Sequence, residues 1–248
     1  MSDSTDISII TLSYNDPLVL RALVSVSNQS IEAQRVVIDG GSKDPLPEQV
    51  RSLLNSTDVF VSERDDGIYD ALNKGIRRCS GNIIGMLHAD DVFASDVVLE
   101  IVKREMDARD LEVAYGDLDY VNRAGRKIRH WSAGHVSEHK LRRGWMPPHP
   151  TLFVRRRVFE RVGVYDTAFR IAGDYDFLLR VLRSSGIRVG YIPLLVTRMT
   201  LGGASNRSLA QFARKSREDM WAVRRAGMKP CVVVPLKILR KLPQFIVR

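Results

Sequence analysis

The stretch Ile83-Ile84-Gly85-Met86-Leu87-His88-Ala89-Asp90-Asp91 joins a short apolar run to two adjacent carboxylates. The apolar half has the length and composition of a buried β-strand. Two carboxylates at the end of such a strand repel each other and lose hydration, unless a cation or a hydrogen-bond donor compensates them. Mg²⁺ and Mn²⁺ suit such a pair, because hard divalent ions take one or two carboxylates and leave positions for phosphate oxygens. Asp91 could instead cap a following helix while Asp90 is solvated, and the motif alone leaves both interpretations open.

Outward from this stretch, the first 120 residues alternate strand-like and helix-like segments. Strands are predicted at 7–12, 35–38, 59–61, 83–87 and 113–115, and helices at 17–28, 68–76 and 97–106. Apolar strands that alternate with helices favour a mostly parallel, Rossmann-like sheet with helices on both faces, which is an α/β fold.

Polar loops follow four of these strands, at residues 13–16, 39–42, 62–65 and 88–91, and each loop carries an acidic side chain. In open parallel sheets, ligands bind at the carboxyl ends of the strands. The chain has neither a Gly-rich phosphate loop with a Lys nor a G-x-G-x-x-G motif after the first strand. The second absence disfavours a Rossmann oxidoreductase.

The alternation stops after residue 120. Residues 120–131 resemble a hairpin around Gly125, and helices at 158–162 and 175–182 precede a strand at 188–192. We therefore predict one domain over 1–228, with a nucleotide-binding half at about 1–120 and an acceptor-facing half at about 121–228. Residues 229–248 form a separate basic tail.

Amino-acid composition indicates the cellular compartment and the kind of partner. The 248 residues contain two cysteines, Cys79 and Cys231, which is too few for a disulfide framework and indicates a reducing compartment. The polar N-terminus is unlike a signal peptide, and no apolar run is long enough to span a bilayer, so we expect a cytoplasmic protein. The net charge of +9 suggests an anionic partner. Nucleic acid is disfavoured, because the basic residues cluster near the C-terminus beside aliphatic rather than aromatic side chains.

Five segments, in this order, resemble family 2 glycosyltransferases of the GT-A fold over about residues 7–185. The resemblance rests on Ile-Ile-Thr-Leu-Ser-Tyr-Asn at 9–15, Val-Ile-Asp-Gly-Gly-Ser-Lys-Asp at 37–44, Ser-Glu-Arg-Asp-Asp-Gly-Ile-Tyr-Asp-Ala-Leu-Asn-Lys-Gly at 62–75, Ala-Asp-Asp at 89–91 and Ala-Gly-Asp-Tyr-Asp at 172–176. The third segment is similar to a subgroup found in bacterial surface-polysaccharide and glycolipid pathways. In that family Gly173 is usually Glu, and His88 is often Asp.

The resemblance implies an inverting transfer from a nucleoside-diphosphate sugar, UDP favoured and GDP possible, with Mn²⁺ or Mg²⁺ as cofactor. It implies that Asp174 is the catalytic base and that Asp91 is the principal metal ligand, with Asp90 near the metal or the ribose. The other residues expected to bind the nucleotide sugar are Ser13, Tyr14, Asn15, Asp39, Asp65 and Asn73. The chemistry suits these residue types, because a carboxylate accepts the proton of an attacking hydroxyl and a cation stabilises the leaving diphosphate. Asp174 could instead be only a helix cap.

Three further residues are candidates for acceptor or phosphate contacts. His149 lies in a proline-flanked loop, where relatives in the subgroup have a histidine, but it could equally be a structural hydrogen-bond donor. Trp145 could stack on a sugar ring or belong to the core. Arg207, in the Gly-rich stretch 202–207, could contact the donor diphosphate or sit in a plain connector.

The tail at 229–248 has the pattern of a basic amphipathic helix. Its predicted apolar side carries Ile238, Leu239, Leu242, Phe245 and Ile246, and the opposite side carries Lys237, Arg240, Lys241 and Arg248. Such a helix is typical of a peripheral contact with an anionic membrane, here the inner face of the plasma membrane. It could also pack on the domain or on a partner subunit of a homo-oligomer.

The acceptor that this combination suggests is a lipid-linked saccharide or a glycolipid of an envelope polymer. The alternative is a non-catalytic nucleotide-sugar-binding or assembly subunit on the same fold.

Overall fold

The computed structural model describes residues 5–43, 46–201 and 209–240. The strands are β1 (Ile7–Ser13), β2 (Gln34–Asp39), β3 (Val59–Ser62), β4 (Ile83–Met86), β5 (Val92–Phe93), β6 (Val113–Val121), β7 (Lys127–Trp131), β8 (Phe153–Arg155) and β9 (Val189–Thr200). The helices are α1 (Val19–Ser27), α2 (Leu46–Leu53), α3 (Ile68–Arg78), α4 (Val98–Ala108), α5 (Glu138–Arg142), α6 (Arg156–Val162), α7 (Gly173–Arg183), α8 (Leu209–Arg225) and α9 (Pro230–Leu239). A 3₁₀ turn spans His149–Thr151.

The strands form one sheet in the order β3-β2-β1-β4-β8-β6-β9-β5, with β7 paired to β6. Strands β1 to β4 are mutually parallel. Strand β8 is antiparallel to both β4 and β6, so β6 runs in the same direction as β4, and β9 is parallel to β6. The C-terminal ends of β1 to β4, β6 and β9 therefore share one side of the sheet, called the carboxyl edge below.

The α/β fold with a helix-flanked, Rossmann-like sheet is confirmed, and its parallel part is the first half of the chain. Strands β1 and β2 are almost wholly buried, because helices cover both of their faces. Helix α3 approaches β1 closely at Gly75, where a Cβ would lie 2.7 Å from Cγ2 of Ile10. Beyond β4 the sheet is mixed, since β8, β7 and β5 run against their neighbours.

The predicted hairpin at 120–131 is confirmed as the β6–β7 pair, with Gly125 at φ +76° in its turn. The late strand is longer than the predicted 188–192. It continues past Pro193 to Thr200 because a register irregularity opposite Asp117 absorbs the missing N–H. Helix α8 has no counterpart in the sequence prediction.

The C-terminal helix packs on the domain. Val233 and Val234 of α9 belong to the same core cluster as the interior of α7, while Leu239 is 54% exposed. The assignment of Lys237 to an outward basic face is wrong, because its side chain is buried against Asp219 of α8. Lys241, Leu242, Phe245, Ile246 and Arg248 lie outside the described residues. Among the described helices, none combines the length and the apolar composition needed to cross a bilayer.

Candidate active site

The carboxyl edge brings the polar ends of the first three strands together. Ser13 lies beside Asp39, and Asp39 lies beside Ser62, in the register of the sheet. The buried Asp39 carboxylate accepts hydrogen bonds from Ser42 N–H at 2.8 Å, from the Ser42 hydroxyl, and from Ser62 Oγ at 2.6 Å. Within the described residues, the buried Ser13 hydroxyl has no hydrogen-bond partner. Asp39 is therefore fixed at the strand ends as a hydrogen-bond acceptor.

Two side chains predicted to bind the nucleotide meet over Gly40. A Cβ on Gly40 would lie 3.2 Å from Tyr14 Cδ2 and 3.3 Å from Asp65 Oδ2. Tyr14 is 67% exposed, so its ring is available to a planar ligand. Asn15, at φ +49°, links the loop after β1 to the loop after β2 by donating its N–H to Ser42 Oγ at 2.6 Å. These residues form one continuous polar surface around the first two strand ends.

Lys74 is a member of this surface that the sequence analysis missed. Its Nζ lies 2.7 Å from Asp65, 2.9 Å from Glu63 and 3.4 Å from Asp70. The hydrogen bond that Lys74 donates to Asp65 is the largest of the contacts that raise the pKa of Lys74. The only sequence signal for it is the i, i+4 spacing from Asp70. Lys74 fixes Asp65 in place and neutralises part of the acidic charge here.

Asn73 has a different role from the predicted donor contact. Its Nδ2 donates to the Tyr165 carbonyl at 2.8 Å, and its Oδ1 accepts from the Tyr165 N–H at 3.0 Å. The side chain is buried. Both polar atoms of Asn73 therefore hold the backbone of a distant segment, and neither is directed at a ligand.

The two acidic residues after β4 are bound by Thr200 at the end of β9, Asp91 through its carboxylate and Asp90 through its backbone carbonyl. Asp91 is 1% exposed, and its Oδ1 accepts a hydrogen bond from Thr200 N–H at 3.2 Å. Thr200 Oγ1 donates to the Asp90 carbonyl at 2.7 Å. Within the described residues Asp91 Oδ2 is buried without a hydrogen-bond partner. Burial, followed by repulsion from Asp90, raises the pKa of Asp91 to about 8.

This arrangement fits a divalent cation. A bound cation would give the unpaired Asp91 oxygen a partner. It would also offset the unfavourable free energy of burying the carboxylate charge. The part of the chain that the structure describes holds no cluster of three or more His, Cys, Asp or Glu side chains suited to a metal. Mg²⁺ is commonly bound by one or two protein carboxylates together with water and phosphate oxygens.

Asp174 lies in the first turn of α7. Its Oδ1 accepts a hydrogen bond from Tyr175 N–H at 2.7 Å, and the side chain remains partly exposed. At the preceding position a Cβ on Gly173 would come within 2.8 Å of the Tyr69 ring. The glycine that replaces the family's usual Glu is therefore required by the packing of Tyr69, and it leaves Asp174 in place.

Several groups act on the Asp174 carboxylate. Burial alone would raise its pKa, but His149, Lys215, Lys237 and the Tyr175 N–H together lower it below the ordinary value. His149 itself has its pKa lowered to about 4 by burial, so it is neutral near pH 7. At that pH the two lysines and the backbone donor are the groups that favour the ionised form of Asp174.

His88, two residues before Asp90, has a pKa that responds to both Asp90 and Asp174. Burial lowers the pKa of His88, while Asp90 and Asp174 both act to raise it, so the imidazole lies within the field of both carboxylates. Asp90 and Asp174 therefore both favour the protonated form of this imidazole, and burial opposes them.

The match to a family model decides the family. The model described as Glycosyl transferase family 2 matches residues 8–170. The chain belongs to glycosyl transferase family 2. The match covers the polar strand ends and the paired carboxylates and stops just before Asp174, so the role of this residue is not given by the match.

Relatives of this family 2 glycosyltransferase include mycobacterial proteins. An uncharacterised glycosyltransferase of Mycobacterium tuberculosis is 30% identical over 196 residues, which is 73% of this chain and 70% of the relative. A PGL/p-HBAD biosynthesis glycosyltransferase of Mycobacterium bovis is 27% identical over 206 residues, covering 80% and 78% of the two chains.

Solved structures show that the glycosyltransferase has the GT-A fold. S. aureus TarS 1–349 in complex with UDP-GlcNAc superposes with a TM-score of 0.70 at 17% identity, over 91% of this chain and 68% of that one. The mannosyltransferase PcManGT of Pyrobaculum calidifontis, in complex with GDP-Man and Mn²⁺, gives 0.65 at 17% identity, over 97% and 71%.

The candidate acceptor residues of the glycosyltransferase are positioned differently from the sequence expectation. Trp145 is buried, donates its Nε1–H to the Ala133 carbonyl at 3.2 Å and packs edge-on against Tyr115, so it is a core residue and cannot stack on a sugar. His149 is buried and hydrogen-bonded to the Tyr165 hydroxyl at 2.9 Å. This contact agrees with a structural hydrogen-bonding role, the alternative to an acceptor or phosphate contact. Arg207 lies outside the described residues.

Proposed function

We propose that this family 2 glycosyltransferase transfers a sugar from a nucleoside diphosphate, UDP favoured and GDP possible, to a hydroxyl of a lipid-linked saccharide or glycolipid, with inversion. One observation carries the proposal: beside Asp90 at the end of β4, Oδ2 of the buried Asp91 has no hydrogen-bond partner within the described residues, which suits a site for a cation and a diphosphate. The complexes of S. aureus TarS with UDP-GlcNAc and of PcManGT with GDP-Man support a nucleotide-sugar donor. The relative named for PGL/p-HBAD biosynthesis supports a glycolipid acceptor.

The reaction would be a single displacement. The acceptor oxygen forms a bond to the anomeric carbon while the bond from that carbon to the diphosphate oxygen breaks. The acceptor proton passes to the carboxylate of Asp174, whose ionised form Lys215, Lys237 and the Tyr175 N–H favour. The nucleoside diphosphate leaves with the bonding electron pair.

The remaining groups would bind and orient the donor. Asp39 and Asp65 would accept hydrogen bonds from the nucleoside, with the exposed ring of Tyr14 beside the base. Asp91 and Asp90 would hold Mn²⁺ or Mg²⁺, a cation that stabilises the charge on a diphosphate leaving group.

Ligand-induced stabilisation tests the donor assignment. Binding to the folded state raises the melting temperature by mass action, so UDP or GDP with Mn²⁺ should raise it more than either nucleotide with EDTA. Equal melting temperatures with and without nucleotide would overturn the assignment. A non-catalytic nucleotide-sugar-binding subunit would show the stabilisation without transfer to any acceptor hydroxyl, so release of nucleoside diphosphate on adding acceptor separates the two functions.

A further inference from the structure

The tip of the β6–β7 hairpin is strongly basic. Residues 120–137 contain no Asp or Glu. Arg123, Arg126 and Lys127 are all exposed, and none of the three forms an ion pair with another described residue. Ile128, next to them, is 50% exposed. The tip at 123–128 therefore presents concentrated positive charge together with one aliphatic side chain.

The acidic side chains of the hairpin stem do not neutralise this charge. Asp119 pairs with His130 at 2.7 Å, and its side chain is only 9% exposed. Asp117 accepts the Tyr191 hydroxyl at 3.0 Å on both oxygens and the Ala133 N–H at 2.8 Å. Both carboxylates thus bind partners within or beside the stem, and they leave the positive charges of the tip unneutralised.

An aromatic stack stiffens the stem below the tip. The Tyr120 and Trp131 rings stack with their centroids 6.4 Å apart, and the Arg129 guanidinium lies 5.0 Å from the Tyr120 centroid. Such cross-strand contacts stabilise a hairpin. Tyr and Trp are also the side chains that concentrate at membrane–water interfaces. The stem is therefore stiffened by these contacts, while the side chains of the tip at 123–128 are exposed.

The hairpin leaves the sheet on the same side as the candidate active site. Strand β6 runs parallel to β4, so its C-terminal end and the turn beyond it project from the carboxyl edge. Val121, the last residue of β6, pairs with Thr200, whose N–H binds Asp91. Any surface that binds the tip would therefore face the carboxyl edge, where Asp90 and Asp91 lie.

We propose that the hairpin tip, residues 123–128, docks on an anionic lipid membrane and orients the carboxyl edge toward it. The proposal rests on the proposed function, because a lipid-linked acceptor is confined to that surface. Unpaired Lys and Arg side chains bind acidic headgroups, and the exposed Ile128 can enter the interface. Single-stranded nucleic acid is the less suitable partner, since it favours aromatic stacking platforms and residues 123–128 contain no aromatic side chain.

Vesicle co-sedimentation of the full chain tests the proposal. The test variant is Arg126→Gln with Lys127→Gln, and the matched control is Arg77→Gln with Arg78→Gln. The control removes two exposed positive charges at the end of α3, directly before β4 and therefore at the opposite edge of the sheet. Each basic side chain near an anionic membrane contributes about fivefold to partitioning. Binding to phosphatidylserine-containing vesicles should therefore fall about 25-fold in the test variant and by less than twofold in the control.

Three results would overturn the proposal: no binding by the parent, equal binding by the test variant, or an equal loss in the control. Binding to pure phosphatidylcholine vesicles as strong as to the mixed vesicles would overturn it as well. Release of nucleoside diphosphate with a water-soluble acceptor is measured in parallel and should be the same in all three proteins. A parent that binds vesicles but releases no nucleoside diphosphate would contradict the proposed function and leave the docking surface standing.

Discussion

The ammonium of Lys237 on α9 lies 2.7 Å from Oδ1 of Asp219 on α8, and both side chains are buried. The same Nζ sits 3.2 Å from the centroid of the Tyr175 ring. Burial lowers the pKa of Lys237 to about 8 even with Asp219 beside it. The ion pair therefore joins α9 to α8, and the contact with Tyr175 joins α9 to the turn that carries Asp174, so α9 is part of the folded domain.

The first prediction follows from this pair. Lys237→Met leaves the Asp219 charge buried without its partner, which typically costs about 3–5 kcal/mol. Urea unfolding should show that loss. Lys229→Met is the control, because Lys229 is exposed at the start of the same helix and its replacement should change the free energy of unfolding by less than about 0.5 kcal/mol.

The double variant separates the pair from general packing. Lys237→Met with Asp219→Leu removes both charges, and it should be far less destabilised than the sum of the two single variants. Truncation after Lys229 should lower the melting temperature, because it also removes the buried Val233 and Val234. A truncated protein that melts like the parent would show that α9 contributes no packing energy.

The second prediction concerns the base. Asp174→Asn keeps the size of the side chain and removes the proton acceptor, so transfer should fall about 10²–10⁴-fold while donor binding changes little. The control is Asp110→Asn, far along the chain in a left-handed turn that Asn tolerates. Steady-state transfer and calorimetric donor binding measure the two effects. Equal transfer by the Asp174 variant and the parent would remove Asp174 from the reaction.

The third prediction concerns the metal. Asp91→Asn replaces a buried carboxylate whose pKa is raised to about 8, so near pH 7 in EDTA the parent side chain is mostly uncharged and the variant should melt close to the parent. Transfer should be lost nearly completely. Mn²⁺ should no longer add to the rise in melting temperature that nucleotide causes. Asp90→Asn should have the same effects in weaker form. Tight Mn²⁺-dependent nucleotide binding by the Asp91 variant would contradict the assignment.

The sequence was sufficient for the parts of the fold that local pattern determines. The strand at 83–87 and its terminal Asp90 and Asp91 are readable because a buried parallel strand is a continuous apolar run. The meeting of Asp39 with Ser13 follows from parallel strands ending at one edge. Both inferences need only local composition and a topological rule.

The sequence could not show which polar side chains are used inside the protein. Asn73 and Tyr165 are far apart in the chain, and no periodicity links them. The helical wheel assigned Lys237 to solvent because it assumes that only apolar side chains face inward, and Asp219, its partner, lies on a helix that the sequence analysis did not predict. Trp145 was ambiguous for the same reason, since its role depends on a carbonyl twelve residues away.

The fourth prediction is a pH dependence of stability that His149 causes. Burial, opposed by Asp174, lowers the pKa of His149 from 6.5 to about 4, so the folded protein keeps this imidazole neutral where the unfolded chain protonates it. The unfolded state then binds more protons, and stability falls as pH decreases from about 6.5 to about 4. The loss should be on the order of 3 kcal/mol.

His149→Gln can retain a hydrogen bond to the Tyr165 hydroxyl but has no proton to gain, so its free energy of unfolding should fall less than that of the parent over this interval. Urea unfolding at a series of pH values measures the difference, with His139→Gln, which removes an exposed histidine on α5, as the control. Parallel curves for the parent and the His149 variant would show that this histidine is not held neutral.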